Sequence, residues 1–388
     1  MRCKAMLSVV LVVSGMIAGC GGGGDGASVP DDRKAAVAER YADLVFAAYG
    51  ASVSSAEHMH DAIERFLERP TQARLGAARK AWIAARDDYV VTEPFRFYGG
   101  PIDDPRSGPE GLLNAWPMDE GYVDYVVGDR NAGIVNDRSA YPTITEDVIV
   151  EGNEKGGETN ISSGWHAIEF LLWGQDRSQD GPGARPAGDY ATARNARRRA
   201  AYLRLTTERL LSDLRSVRTP WSPEGGAYRT EFLDDPDAAL TKIFRGIGAL
   251  SSHELAGERM AVAFESRDQE DEHSCFSDNT NADVVNDLRG IRMVYTGSGR
   301  SDDAADQASL SMLVTEADPE LAQQVSDALD ASLAKAQAFP ATFETMIAAP
   351  SGSKPNAAME QTIEAIEAQS ELLEQAARAL DVKVSFEG

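Results

Sequence analysis

From residue 31 onward apolar side chains recur at intervals of three and four, the pattern of helices that bury one stripe. Val37, Tyr41, Leu44, Val45 and Ala48 form such a stripe over 31–49, and 56–68 repeats it. A third helix is expected over 71–89, with Thr71 as its N-cap after Pro70 and with Leu75, Ala78, Trp82 and Ala85 on one face. The pattern then stops. Residues 92–160 are rich in Gly, Pro and Asp, including Gly99-Gly100-Pro101, Gly108-Pro109, Trp116-Pro117 and Gly156-Gly157. An excursion of that length inside a domain is either functional or organised by its own packing. After a further loop over 175–188, helical spacing returns over 190–217, 236–265, 319–346 and 357–380. Alternating strand patterns of useful length are hard to find. About four helices before Gly174 and four after Asp189 predict an all-α protein of two tandem four-helix bundles, 31–180 with the long irregular insertion and 189–388.

The first twenty residues differ from this pattern. Arg2 and Lys4 precede an apolar run over 6–13 that gives way to Ser14-Gly15-Met16-Ile17-Ala18-Gly19-Cys20. The run is too short to span a bilayer and ends in small residues, so 1–19 reads as a secretory leader. Ile17-Ala18-Gly19-Cys20 resembles a lipobox, which makes Cys20 the lipidation site; the alternative is an ordinary leader cut near Ala18. Gly21 to Gly24, Asp25 and Gly26 then belong to a flexible tether, 20–30, between anchor and folded body. Gly21, where an inner-membrane retention signal would place Asp, points to the outer membrane, with the chain facing the periplasm or the cell surface. Cys3 leaves with the leader and Cys20 carries lipid, so Cys275 remains without an intramolecular disulfide partner, as a small buried hydrophobe.

The charge narrows the choice of partner. In 388 residues, Lys+Arg 38 against Asp+Glu 62 leave a formal net charge of −24, which opposes nucleic-acid binding and suits cations. Hydrophobic residues at 43% and charged residues at 26% are ordinary globular usage, which excludes bulk disorder and coiled-coil composition.

The most informative segment is 164–174, Gly-Trp-His-Ala-Ile-Glu-Phe-Leu-Leu-Trp-Gly, apolar all round except for His166 and Glu169. These two lie three apart and share a helix face. A carboxylate and an imidazole in such surroundings require hydrogen-bond partners, a cation or a changed protonation state. A metal site in a helical bundle and a structural His-Glu pair both satisfy that requirement.

Gly164-x-His166-x-x-Glu169 followed by Phe170-Leu171-Leu172-Trp173-Gly174-Gln175-Asp176 strongly resembles the imelysin family, also called insulin-cleaving membrane proteases. The resemblance extends to 82–103 with Thr92-Glu93-Pro94-Phe95-Arg96-Phe97, to 114–121, to 254–260 and to 269–280. It implies two bundles related as a duplication and a site between them to which His166 and Glu169 contribute. It also implies a periplasm-facing, often lipid-anchored protein linked to iron acquisition, with other iron-uptake components as partners. A related domain occurs in the periplasmic part of a ferrous-iron uptake system. The chain departs from the family pattern at Asn281, where His is common.

The family name asserts a peptidase, yet the standard zinc motifs are incomplete here. His253-Glu254 begins His-Glu-x-x-His, but Gly257 stands at the second His, and Phe170 follows Glu169 where the inverted motif needs His. The first reading is therefore a divalent or ferric ion, iron ahead of zinc or copper, with a cell-surface metallopeptidase as the alternative. His166 and Glu169 are the expected ligands, Glu254 and Asp176 weaker ones, and Arg96 and Glu258 candidates for ligand binding. Glu254 and Glu258, four apart, either face His166 or form an acidic surface. The run Glu270-Asp271-Glu272-His273 is dense enough to attract a hard cation but lacks EF-hand spacing. Arg197, Arg198 and Arg199 read as a solvated face.

Overall fold

The computed structural model describes residues 29–178, 181–299 and 308–386. The segment read as a leader, the expected lipidation site Cys20 and the part of the expected tether before Val29 lie outside these. The described chain is helical, without strands; its one β-type pairing is an isolated bridge, Val126 to Asp129. No helix among the described residues is long and apolar enough to cross a membrane.

The main helices are α1 (Asp31–Glu68), α2 (Gln72–Val90), α3 (Gly164–Trp173), α4 (Ala196–Arg218), α5 (Pro236–Ala249), α6 (Thr280–Thr296), α7 (Pro319–Gln337) and α8 (Lys354–Ala379). The expected cap is in place, with Thr71 accepting from the Arg74 N–H; Asp235 with Pro236 likewise opens α5 by accepting from the N–H groups of Asp237 and Ala238. Residues 31–49 and 56–68, expected as two helices, form the single helix α1. Nothing between them breaks it. Gly50 is the weak point, and the Arg218 guanidinium packs where its side chain would be.

Helices α1 to α4 pack on one another, as do α5 to α8, while α1 against α5 and α2 against α6 join the two sets. A continuous cluster of buried apolar side chains runs through both. The expected division at 180 and 189 does not coincide with this packing, because α4 lies on α1 and α3 rather than with the later helices. Tyr202, Leu203, Leu210 and Leu214 of α4 are buried; helical spacing over 190–217 predicts a helix and carries no information about which helix its buried face meets. Helix α6 was absent from the sequence reading, and 319–346 splits into α7 and a short helix, Phe343–Ala348.

The 92–160 excursion is ordered by buried ion pairs. Asp124 accepts from Arg185 at 2.7 Å and from Arg199 at 2.5 and 2.9 Å, while Arg198 donates to the carbonyls of Val135 and Ile134. The arginines expected as a solvated face thus include Arg199, 1% exposed, which clamps the excursion onto α4.

Residues 236–265 are helical as expected, but α5 continues as a π-helix, Leu250–Ala261, and then as Val262–Ser266. The wider π turn brings residues five apart toward one face, and Arg259 donates to Glu254 at 2.8 Å. Close packing explains one glycine in α5: a Cβ on Gly246 would lie 2.2 Å from the Pro94 carbonyl oxygen, whereas one on Gly76 in α2 meets nothing within 4 Å. Gly246→Ala is expected to destabilise by about 1–3 kcal/mol. Gly76→Ala is expected to stabilise by up to about 1 kcal/mol, with denaturant melts of both variants as the check.

Candidate functional site

Helix α3 is buried at every residue. It begins at Gly164, φ +82°, where a Cβ would lie 2.4 Å from the Leu113 carbonyl oxygen, so only glycine lets the helix start against that backbone. The three-residue spacing then places His166 Nδ1 3.1 Å from Glu169 Oε2. Glu169 Oε1 accepts from the Ser277 backbone N–H at 2.9 Å and from its hydroxyl at 2.6 Å. Both carboxylate oxygens are engaged. His166 Nε2 is buried with no partner.

Burial pushes the Glu169 carboxyl up to about 8, against the pull of the Ser277 bonds and Arg86. Burial, with Arg86 and His273 nearby, holds the His166 imidazole well below its usual range. At neutral pH the pair is therefore uncharged: Glu169, as the acid, donates to Nδ1, and the ring proton sits on Nε2. When Glu169 ionises the polarity reverses. Nδ1–H then donates to the carboxylate, and Nε2 presents a lone pair.

Two rings cover His166. Trp116 and His273 each have their ring centroid 4.8 Å from that of His166. His273 Nδ1 lies 3.0 Å from Asp283 Oδ2, which also accepts from Arg86 at 3.0 Å and from the Ser274 hydroxyl at 2.7 Å. Arg86, fully buried, lies 3.1 and 3.3 Å from the two ring nitrogens of His273 and also donates to Asn114. Burial and the arginines beside it depress the basicity of His273 as well.

Trp116 and His273 also line a cleft of about 430 Å³, whose other walls include Arg96, Glu110, Glu254, Glu258 and Arg259. Its guanidiniums are neutralised locally. Glu93 accepts from Arg96 and Arg259, each at 2.6 Å; Arg96 also pairs with Glu110 at 3.0 Å, and Arg259 with Asp287 at 2.9 Å. Burial alone would raise the Glu93 carboxyl, but Arg96 and Arg259 hold it at about 2.

Of the residues expected from sequence, His166 and Glu169 come together, although Glu169 orients the ring instead of presenting a free oxygen. Glu254, Glu258 and Arg96 share the cleft; Glu254 is tied to Arg259 and, at 4.0 Å, to Arg96, not to His166. Asp176 is engaged by Gln269 at 2.6 Å and the Ser178 N–H at 2.9 Å, and is not part of the cleft wall. No three His, Cys, Asp or Glu side chains among the described residues form a ready metal cage.

Sequence reasoning missed Arg86, Asp283 and Ser277 and read His273 only as part of an acidic run. A signal existed for Arg86, which lies four residues after Trp82 and three before Tyr89 on the buried stripe of α2. The scarcity of histidine, five in the chain, was the signal for His273.

The chain is similar to known proteins in sequence and in fold. Over 320 residues the chain is 28% identical to "Iron-regulated protein A" of Synechococcus elongatus, covering 80% of this chain and 76% of the relative. The fold matches the crystal structure of an iron-regulated protein A precursor from Parabacteroides distasonis, with TM-score 0.70, 18% identity and coverage of 91% and 97% of the two chains. It also matches an imelysin-like protein from Psychrobacter arcticus, with TM-score 0.66, 16% identity and coverage of 92% and 98%. The imelysin profile matches residues 45–376, from α1 through most of α8 and across the His166–Glu169 motif, and the chain belongs to the imelysin family.

Proposed function

We propose that this chain is a lipid-anchored protein of the cell envelope, facing the periplasm, that binds a metal ion at His166 in the service of iron acquisition. The observation that carries the proposal is the orphaned His166 Nε2, backed by Glu169 and Ser277 in the relay that commonly orients a metal-binding imidazole. Glu169 is a positioning residue in this reading, and solvent or a second group from the cleft completes the coordination. The name of the Synechococcus relative supports iron, with zinc and copper as the other candidates. A buried polar nitrogen without a partner is costly, and a cation would supply one.

Calorimetric titration with ferrous, ferric, zinc and copper ions tests this. Saturable binding by the parent that is lost in His166→Ala is expected; absence of saturable binding of any ion by the parent overturns the proposal. Because Glu169 holds its proton up to about 8, metal binding at pH 7 has to release it. Close to one proton per ion is expected from titrations in buffers of different ionisation enthalpy. Apparent affinity should climb with pH and level off above about 8.

A further inference from the structure

The charges lining the cleft do not balance. Five carboxylates, Glu110, Glu154, Glu254, Glu258 and Asp271, face two guanidiniums, Arg96 and Arg259. Those guanidiniums are already engaged by Glu93, Glu110, Glu254 and Asp287. Neither Glu154 nor Glu258 has an ion-pair partner among the described residues, and Glu258 is exposed. Asp271 accepts only a neutral hydroxyl, that of Ser266, at 2.6 Å. The negative excess therefore sits on Glu154, Glu258 and Asp271, on the approach to Trp116 and His273, the two rings that cover His166.

We infer that the cleft admits the metal as a hydrated cation and rejects it as an anionic chelate, with Glu154 and Glu258 acting as steering residues. The inference rests on the proposed metal site at His166 and adds to it the chemical form of the ligand. Size does not discriminate, because about 430 Å³ holds either a hydrated ion or a small hydroxycarboxylate complex. Charge does: a cleft of one sign with protein walls focuses its field and raises the arrival rate of the opposite charge by 10- to 1000-fold, an effect that salt removes. An anionic complex meets the same field as a barrier. Since Arg96 and Arg259 are already paired with Glu93, Glu110, Glu254 and Asp287, neither guanidinium is left as an uncompensated charge to receive a chelator's carboxylates.

Stopped-flow fluorescence reads the step directly, because Trp116 lies against the His166 ring and a bound transition-metal ion quenches it. The probes are ferrous sulfate under argon and ferric citrate, mixed with the parent and with the double variant Glu154→Gln, Glu258→Gln. With ferrous ion at low salt, the variant is expected to associate on the order of 10-fold more slowly than the parent, the two rates converging near 0.5 M sodium chloride. Ferric citrate is expected to give no saturable signal with the parent. Saturable binding of ferric citrate, or a ferrous association rate unchanged by the two substitutions, overturns the steering inference and leaves the metal site standing. If neither probe binds and the parent also fails to bind zinc and copper in calorimetry, the metal site falls with it. Circular dichroism of the variant confirms that two exposed-side substitutions have not altered the helices.

Discussion

Glu169→Gln is expected to lower metal affinity by about 100-fold while leaving the fold intact, the upper end of what loss of an outer-shell partner costs. The glutamine amide reproduces the neutral acid: its oxygen accepts from Ser277, and its NH2 group donates to His166 Nδ1. That contact fixes the ring proton on Nε2, the atom a metal needs. The amide cannot be ionised, so the lone pair is never exposed. Stability should move the other way at alkaline pH. A carboxyl raised to about 8 stabilises the folded state in acid and loses that contribution as pH rises through 8. The variant, which has nothing to ionise, should therefore melt at or above the parent's temperature at pH 8.5. Thermal melts and calorimetric titration at that pH check both halves. Parent-like metal binding in a folded Glu169→Gln protein would show that Glu169 does not set the tautomer.

Asp124→Ala is expected to be the most damaging single substitution outside the apolar core, at about 3–5 kcal/mol. Asp124 is completely buried and receives both Arg185 and Arg199, themselves almost fully buried. Removing it leaves the desolvated Arg199 without an ion-pair partner and Arg185 with only the longer contact to Asp189, at 3.3 Å. Its own burial would raise the Asp124 carboxyl, but Arg199 and Arg185 outweigh this and hold it low. The stabilisation is therefore present above the ordinary carboxylate range and is lost as pH falls through the depressed value. Denaturant unfolding of parent and variant at pH 7 and at pH values stepped downward from 4 measures it, with the difference expected to shrink only below the ordinary carboxylate range. Because Asp124 ties the 92–160 excursion to α4, proteolytic nicking within the excursion should accelerate in the variant.

The two substitutions probe different layers of one design. The excursion that Asp124 secures delivers Trp116 and Asn114, one against His166 and the other against Arg86. The segment between the π-helix and α6 delivers His273 against the same two residues and Ser277 against Glu169. Loss of the first knot should therefore loosen the cover over His166 as well as the fold.

What the chain determined locally was legible without coordinates. Helix class, the cap at Thr71, the irregular stretch after α2 and the burial of His166 and Glu169 all follow from spacing and composition within some twenty residues, because a helix exposes its periodicity along its own axis. Membership of the imelysin family was legible for the same reason, since the motif is contiguous. The tertiary structure alone decided everything that depends on residues distant in sequence. Which helices α4 faces, which oxygen of Glu169 is already taken by Ser277 and that Glu254 serves Arg259 instead of His166 are contacts across scores of residues or products of the π-helical turn. A stripe of apolar residues states that a face is buried and is silent on its partner. A buried charge such as Arg86 reads as an ordinary helical arginine until Asp283 and His273 arrive from nearly two hundred residues away to neutralise and shape it.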